Sequence, residues 1–321
     1  MFKPLLAALA VLVATLSSSF AAEKIKVAIP QKGFWDSSWV EFGEAAGLFK
    51  QAGLEVEVFY TEGGAQTIAT VVSGSVDVAM SNGILGGIRA YAKGGDATPF
   101  RVISAEMTGA NELFWWVKAA SPVKSLKDAD GKTIAFSSPG SSSNLILLTL
   151  LKQAGSKAKP VPTGGVPGTY TQTMTGQIDI GWSVVPFALK DVQDGKIRIV
   201  ARARDATALK NQTIRVNLAN VNSLKTKRAT IAKFMQTIDK SIAWAYSNPQ
   251  AIDIFAKNMK VTRDIAKKAV DEFYPKSAMQ LGEIRDLDRS LKDALDFKFL
   301  TSPKTPKDVA GLFDIVYKPA K

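Results

Sequence analysis

The segment SGSVDVAMS at residues 73–81 returns as TGQIDIGWS at 175–183, so that Asp77 and Asp179, and Ser81 and Ser183, stand 102 residues apart. Around each copy the same order of patterns recurs. KIKVAIP (24–30) reads as an apolar strand, followed by the loop QKGFWDSS and a helical pattern in WVEFGEAAGLFKQAG that stops at Gly53. Strand LEVEVFY (54–60), a helix through TIATVVSG, strand VDVAM (76–80), the loop SNG and the helix ILGGIRAYAKGG come next. The second round is GKTIAFSSPG (131–140), SSNLILLTLLKQAG (142–155), a short strand at 159–162, TGGVPGTYTQTMTG and QIDIGW. Strands alternating with helices of about 10–15 residues predict βαβ units and mainly parallel sheets. The period is too long for a solenoid; one α/β plan is written twice.

Between and after the repeats the pattern differs. RVISAEM (101–107) and ELFWWVKA (112–119) read as strands, as does TIRVNLANV from Thr213. Beyond it the chain is helical: Ile231, Phe234, Met235, Ile238 and Ile242 form one apolar stripe, and helices are expected near 249–258, 263–274 and 283–296. These helices bring no strands of their own and must pack on the existing sheets.

The amino terminus, MFKPLLAALAVLVATLSSSFAAEK, has a basic start and an apolar run over residues 5–16, short of the roughly 20 residues a membrane span needs. Ser19 and Ala21 fit a cleavage site before Ala22, so residues 1–21 read as a secretory signal peptide. The 321 residues contain no cysteine and no histidine. That excludes disulfides, a lipid-bearing cysteine, thiol chemistry, imidazole acid–base relays and histidine-ligated metal. The formal charge of +12 is spread as single lysines among acids, the pattern of a solvated surface rather than of a nucleic-acid site; it leaves a small anionic ligand open. Neither G-x-G-x-x-G nor the P-loop pattern occurs.

Two α/β units suggest a ligand cleft beyond the carboxyl ends of their strands, where helix amino termini offer amides to an anion. The loops there carry Gly33, Phe34, Trp35 and Asp36, then Glu62, Gly63, Gly64, Ala65 and Gln66, then Ser81, Asn82 and Gly83. In the second unit they carry the serine run Ser137, Ser138, Gly140, Ser141, Ser142 and Ser143, then Gly164 and Gly165, then Trp182 and Ser183. The serines either cap the helix that follows or cap it and also contact ligand. Phe34, Trp35 and Trp182 either wall a pocket or pack in a core; Trp115 and Trp116 read as core, and Arg202 and Arg204 as solvated surface. The repeated aspartates lie at the far ends of their strands, roughly 13 Å from Ser81 and Ser183 at about 3.3 Å per residue, and read as turn anchors.

Taken together, KIKVAIPQKG, the GG-x-Q-T helix start, S-G-x-V-D-V-A, SLKDADGKTIAFSSPGSSS and TGQIDIGWSVVP resemble the periplasmic solute-binding proteins of nitrate/sulfonate/taurine-type ABC importers. The resemblance implies a type II periplasmic-binding-protein fold: two Rossmann-like lobes joined by two hinge strands near 116–119 and 213–217, with the C-terminal helices packed on lobe one. Lobe one would comprise 22–117 and 217–321, and lobe two 118–216. It further implies a monomeric, non-enzymatic periplasmic protein, free of cofactor, metal and nucleic acid, that closes on a small, anionic organic solute and delivers it to a membrane permease. An aromatic carboxylate, a thiamine-pyrimidine precursor, or a sensing role is the alternative. A fungal branch holds a pyrimidine synthase that consumes a histidine, a role closed to this chain. The binding positions carried over are Phe34, Trp35, Gly64, Ala65, Gln66, Ser81, Asn82, Gly140, Ser141, Ser142, Trp182 and Ser183. Asp36 and Glu62 are available for a ligand amine.

Overall fold

A computed structural model of the protein describes residues 22–319; the expected signal peptide lies outside the described residues. The first sheet is built from β1 (Glu23–Pro30), β2 (Leu54–Thr61), β3 (Val78–Gly83), β4 (Phe100–Thr108) and β10 (Thr213–Asn220), in the order β2-β1-β3-β10-β4. β1 runs parallel to β2 and β3, and its residues from Val27 to Pro30 are all buried, as a strand covered on both faces must be. β2 is the edge, and its alternate Glu55 and Glu57 face solvent. The sheet is mixed rather than parallel throughout, because β10 enters antiparallel between β3 and β4. Its pairing with Asn82 and Gly83 turns SNG, expected as a loop, into the end of β3.

The second half repeats this plan. β6 (Thr133–Phe136) and β7 (Lys159–Pro162) are parallel, and β5 (Leu113–Lys118) lies antiparallel between β8 (Gly181–Val184) and β9 (Ile197–Arg202). A bridge between Ile134 and Ile180 joins the two pieces into the order β7-β6-β8-β5-β9. Each lobe therefore receives its antiparallel strand just after the chain has crossed from the other lobe. β5 pairs wholly within the second sheet, so the first crossing runs through residues 109–112 and not 116–119. The second crossing ends as β10 begins at Thr213.

Around the first sheet lie α1 (Trp39–Ala45), α2 (Leu48–Gln51), α3 (Gly64–Val72) and α4 (Ile84–Gly94). The single helix expected from Trp39 to the stop at Gly53 is broken where Gly47 takes a left-handed conformation (φ 69°). The second sheet carries α5 (Ser142–Ala154), α6 (Val166–Met174) and the short α7 (Leu189–Gln193). The C-terminal block is α8 (Val221–Ser247), α9 (Pro249–Met259), α10 (Arg263–Phe273) and α11 (Leu287–Asp296). All five stripe residues of α8 are buried, and the helix packs on α1 and α2 of lobe one. α11 packs on α4 of the same lobe.

The repeat extends to individual hydrogen bonds. Asp77 accepts from the Lys26 amide at the start of β1 (3.0 Å), and Asp179 accepts from the Thr133 amide at the start of β6 (2.8 Å). Thr67 Oγ1 donates to the Gly63 carbonyl and pairs with Thr61 Oγ1, as Thr169 does with the Gly165 carbonyl and Thr163. The aspartates thus tie the turn before the third strand of each unit to the base of the first, far from any shared chemistry. Asp77 also holds Ser223 and Lys227 at the start of α8 and is nearly buried, whereas the Asp179 side chain is 42% exposed. Asp77→Ala is therefore expected to cost about 2–3 kcal/mol and Asp179→Ala about 1 kcal/mol in urea unfolding, because the donors to Asp77 are part-buried and more numerous, whereas those to Asp179 are exposed. Equal losses would refute that asymmetry.

Candidate functional site

The carboxyl ends of the strands in both lobes face one cavity. Lobe one lines it with Pro30, Gln31, Phe34, Asp36, Ser37, Gly64, Ser81, Gly83 and Arg215; lobe two with Leu113, Ser137, Ser141, Ser142, Ser143, Trp182 and Val184. The space is small, about 50 Å³, where about 10–15 Å³ suffices for one water. The lobes touch at its rim. A Cβ on Gly83 would stand 2.2 Å from the Gly140 carbonyl oxygen, and the Gly86 amide donates to that same oxygen at 3.2 Å. Glycine at 83 is what allows lobe two so close.

Three helices begin at this cavity: α3 at Gly64, α4 just after Gly83, and α5 at Ser142. Their first amides have no carbonyl within the helix to bond and carry partial positive charge. The serine loop is held by its own side chains. Ser141 Oγ caps the Asn144 amide (3.2 Å), Ser143 Oγ accepts from the Ser137 amide (3.0 Å), and Asn144 Oδ1 accepts from the Gly140 amide (3.1 Å). Capping and cavity lining therefore coincide in Ser141, while Ser143 lines the cavity and holds the loop through Ser137.

Beneath the loop lies a buried charge cluster. Arg215, on β10, donates through Nη1 to Asp36, through Nη2 to Glu112 (2.5 Å) and through Nε to Ser142 Oγ (2.9 Å). It thereby joins a loop of lobe one, the first crossing and the helix start of lobe two. The paired carboxylates hold the guanidinium charged. Burial raises the Asp36 pKa, opposed by Arg215 and helped by Glu112. Behind Ser81 sits Glu106, whose oxygens accept from the Ser81 amide (2.6 Å) and hydroxyl (2.5 Å). Burial pushes its pKa up to about 7 despite those bonds. Ser81 itself is left-handed (φ 56°), a conformation a non-glycine residue adopts at a cost and here next to the cavity.

Of the positions expected from sequence, Phe34, Gly64, Ser81, Ser141, Ser142 and Trp182 line the cavity. Trp35 does not: it is fully buried in lobe one among Trp39, Phe42, Tyr246 and Phe255. Ala65 and Gln66 point outward along α3, and Gln66 caps the Glu62 amide. Asn82 turns back to the Ala79 and Met80 carbonyls, because β3 continues through it and alternation aims it away. Ser183 donates to the Phe187 carbonyl, and Gly140 serves as lobe contact. Glu62 is exposed, while Asp36 lines the cavity.

A model of the NMT1/THI5-like family matches residues 41–252, about two thirds of the chain. The chain belongs to the NMT1/THI5-like family. A search of curated proteins by sequence finds no match. Among solved structures, the periplasmic aliphatic sulphonate binding protein SsuA from Escherichia coli is 19% identical, with 93% of this chain and 94% of that one aligned at a TM-score of 0.69. The alkanesulfonate-binding protein SsuA from Xanthomonas axonopodis pv. citri, bound to MOPS, is 17% identical over 88% and 94%, TM-score 0.71. The periplasmic nitrate-binding protein NrtA from Synechocystis PCC 6803 is 12% identical over 90% and 84%, TM-score 0.68. At these identities the likeness is one of fold: this NMT1/THI5-like chain has the periplasmic-binding-protein architecture.

Sequence reasoning missed Arg215, Glu106 and Glu112. A signal existed in TIRVNLAN, where a lone arginine sits in a strand whose eight residues are all buried, a placement that demands partners. Identifying those partners needed the fold, since Asp36 is 179 residues away.

Glu106 gives this NMT1/THI5-like protein a measurable pH dependence. Its folded pKa of about 7 lies above the ordinary 4.5, so between those values the native state binds the extra proton and stability falls as pH rises. The contribution is roughly 3 kcal/mol over that window. In Glu106→Gln, the decline in unfolding free energy from pH 4.5 to 7 is expected to be shallower by about that amount; parallel pH profiles for the two proteins would refute it.

Proposed function

We propose that this chain is the periplasmic solute-binding component of an ABC importer, closing by hinge motion on a small organic solute and docking, loaded, on a membrane permease. The observation that carries the reading is the convergence of three helix amino termini and the serine loop, from both lobes, on one small cavity. Family membership and the fold shared with sulfonate- and nitrate-binding proteins support it. The division into lobes then follows the sheets, 22–112 with 213–319 against 113–212. No helix among the described residues is long and apolar enough to cross a membrane. Export by a cleaved leader and a role in binding rather than catalysis complete the reading. The solute is sulfonate- or taurine-like, its oxyanion received by amides at Gly64, Ser142 and Ser143. Phe34 and Trp182 in the cavity wall favour the second reading, an aromatic carboxylate or pyrimidine.

A thermal-shift panel of sulfonates, nitrate, aromatic carboxylates and pyrimidines tests the proposal. Ligand at about 100 times its dissociation constant adds roughly 2.7 kcal/mol, a shift of several degrees. A midpoint unmoved by every compound would sink the solute-binding reading. Ser141→Ala combined with Ser142→Ala is expected to weaken binding of whichever compound responds, with unliganded stability reduced by no more than about 2 kcal/mol. Calorimetry showing unchanged affinity would remove the serine loop from the site.

A further inference from the structure

We infer that the protein has a second binding site, for a compact polyphosphate anion, in the recess where the two crossings between the lobes meet the C-terminal block. The recess encloses about 470 Å³ and shares no lining residue with the solute cavity. That volume lies within the roughly 300–1,000 Å³ of small-molecule sites. The first crossing lines it with residues 109–111, the second with Lys210 and Asn211, lobe two with Arg204, and lobe one with Ser277 and Arg285. Its frame is tied together by backbone bonds. The Gly109 amide donates to the Gln212 carbonyl (2.9 Å), the Thr213 amide to the Arg285 carbonyl (3.1 Å) and the Arg285 amide to Thr213 Oγ1 (2.9 Å). Only glycine suits position 109, where φ is 76° and a Cβ would stand 3.0 Å from the Lys210 carbonyl oxygen.

Three cations and no acid line this space. Among the described residues, the side chains of Arg204, Lys210 and Arg285 make no ion pair and donate no hydrogen bond. Elsewhere in the chain the guanidiniums are mostly engaged: Arg101, Arg198, Arg215, Arg228, Arg263 and Arg289 each donate to an oxygen. Those that do not are Arg89, which lies over Phe299, and Arg202, Arg204 and Arg285, which gather here. Like charges are also pressed together. Arg202 and Arg204, expected from sequence as solvated surface, both lie over Phe273 of α10, 5.8 and 5.4 Å from its ring centre. Nη1 of Arg202 is buried with no hydrogen-bond partner among the described residues. Burial and then the charge of Arg204 lower the Arg202 pKa, opposed in part by Asp205 and Glu272. Asp205 is itself taken up by the Arg202 amide, and Asp286, next to Arg285 in sequence, does not line the recess. An anion here would relieve that repulsion and occupy donors that are otherwise left to water. Guanidinium forks match phosphate oxygens in pairs, and one phosphate would leave most of the space empty, so several linked phosphate groups fit best.

The test is titration calorimetry of the mature protein at low salt with tripolyphosphate, ADP and orthophosphate. Tripolyphosphate or ADP is expected to bind at one site, at least about 10-fold tighter than orthophosphate; whichever of the two binds tighter tells a free from a nucleotide-borne polyphosphate. Arg204→Gln combined with Arg285→Gln is expected to weaken that binding at least about 10-fold, the worth of one charged hydrogen bond or more. Both side chains are exposed, so the variant is expected to keep its urea midpoint. Lys124→Gln with Lys127→Gln, exposed lysines elsewhere on lobe two, is expected to leave the affinity unchanged, as is Ser141→Ala with Ser142→Ala. The inference is overturned if neither polyphosphate binds tighter than orthophosphate. Equal weakening in the lysine variant would mean attraction by overall charge and overturns it too. Loss of binding in the serine variant would put the anion in the solute cavity and has the same consequence. None of these outcomes touches the solute-binding reading, which the thermal-shift panel decides.

Discussion

The side chain on which the two halves of this molecule converge is Arg215. A guanidinium removed from water costs several kcal/mol unless its partners are close and well aimed. Here they are drawn from three places far apart along the chain: the loop after β1, the first crossing and the start of α5. All of these contacts need β10, the last strand of the first sheet in chain order, in place between β3 and β4. The cluster is thus an expensive arrangement in isolation and a specific one in context. Removing one partner would strand a buried charge, so the interaction fixes how the crossing strands and lobe two sit relative to lobe one.

The doubled plan explains why so little chain is needed to build a two-walled site. Each lobe brings its third strand to the cavity at Ser81 or Trp182, and each lobe's antiparallel strand arrives from the opposite crossing. The lobes are not interchangeable, however. Lobe two contributes the long α5 start and its serines, while lobe one contributes Asp36 and the arginine. The repeated aspartates, equal in sequence, differ in load for the same reason: α8 starts beside Asp77 and, among the described residues, has no counterpart beside Asp179.

How much of this was legible follows from the range of the interactions. Strand and helix order came from local periodicity, and β7 (Lys159–Pro162) and the α8 stripe lie where the pattern placed them. The serine loop was legible too, because capping is a local signal. What local signals could not show was orientation. Trp35 and Asp36 are neighbours in one loop, yet one packs into an aromatic core and the other faces the cavity. Asn82 looked like a loop residue because its partner strand, β10, lies more than 130 residues downstream. Long-range pairing decides which face a side chain takes, and no window of sequence contains it.

Charge shows the same separation of scales. The excess of +12 is distributed over the surface, where it governs solubility and long-range attraction and is screened within about 10 Å at ordinary ionic strength. Inside the cavity the field is set by a handful of groups at contact distance, in surroundings that screen weakly. There the balance is one arginine against Asp36, Glu112 and Glu106, tempered by three helix starts. The charge of the whole chain therefore says little about the field inside the cavity, where burial also raises the pKa of Asp36 and of Glu106. Net charge bounds what approaches this protein, while the groups at contact distance around Arg215 set the field inside it.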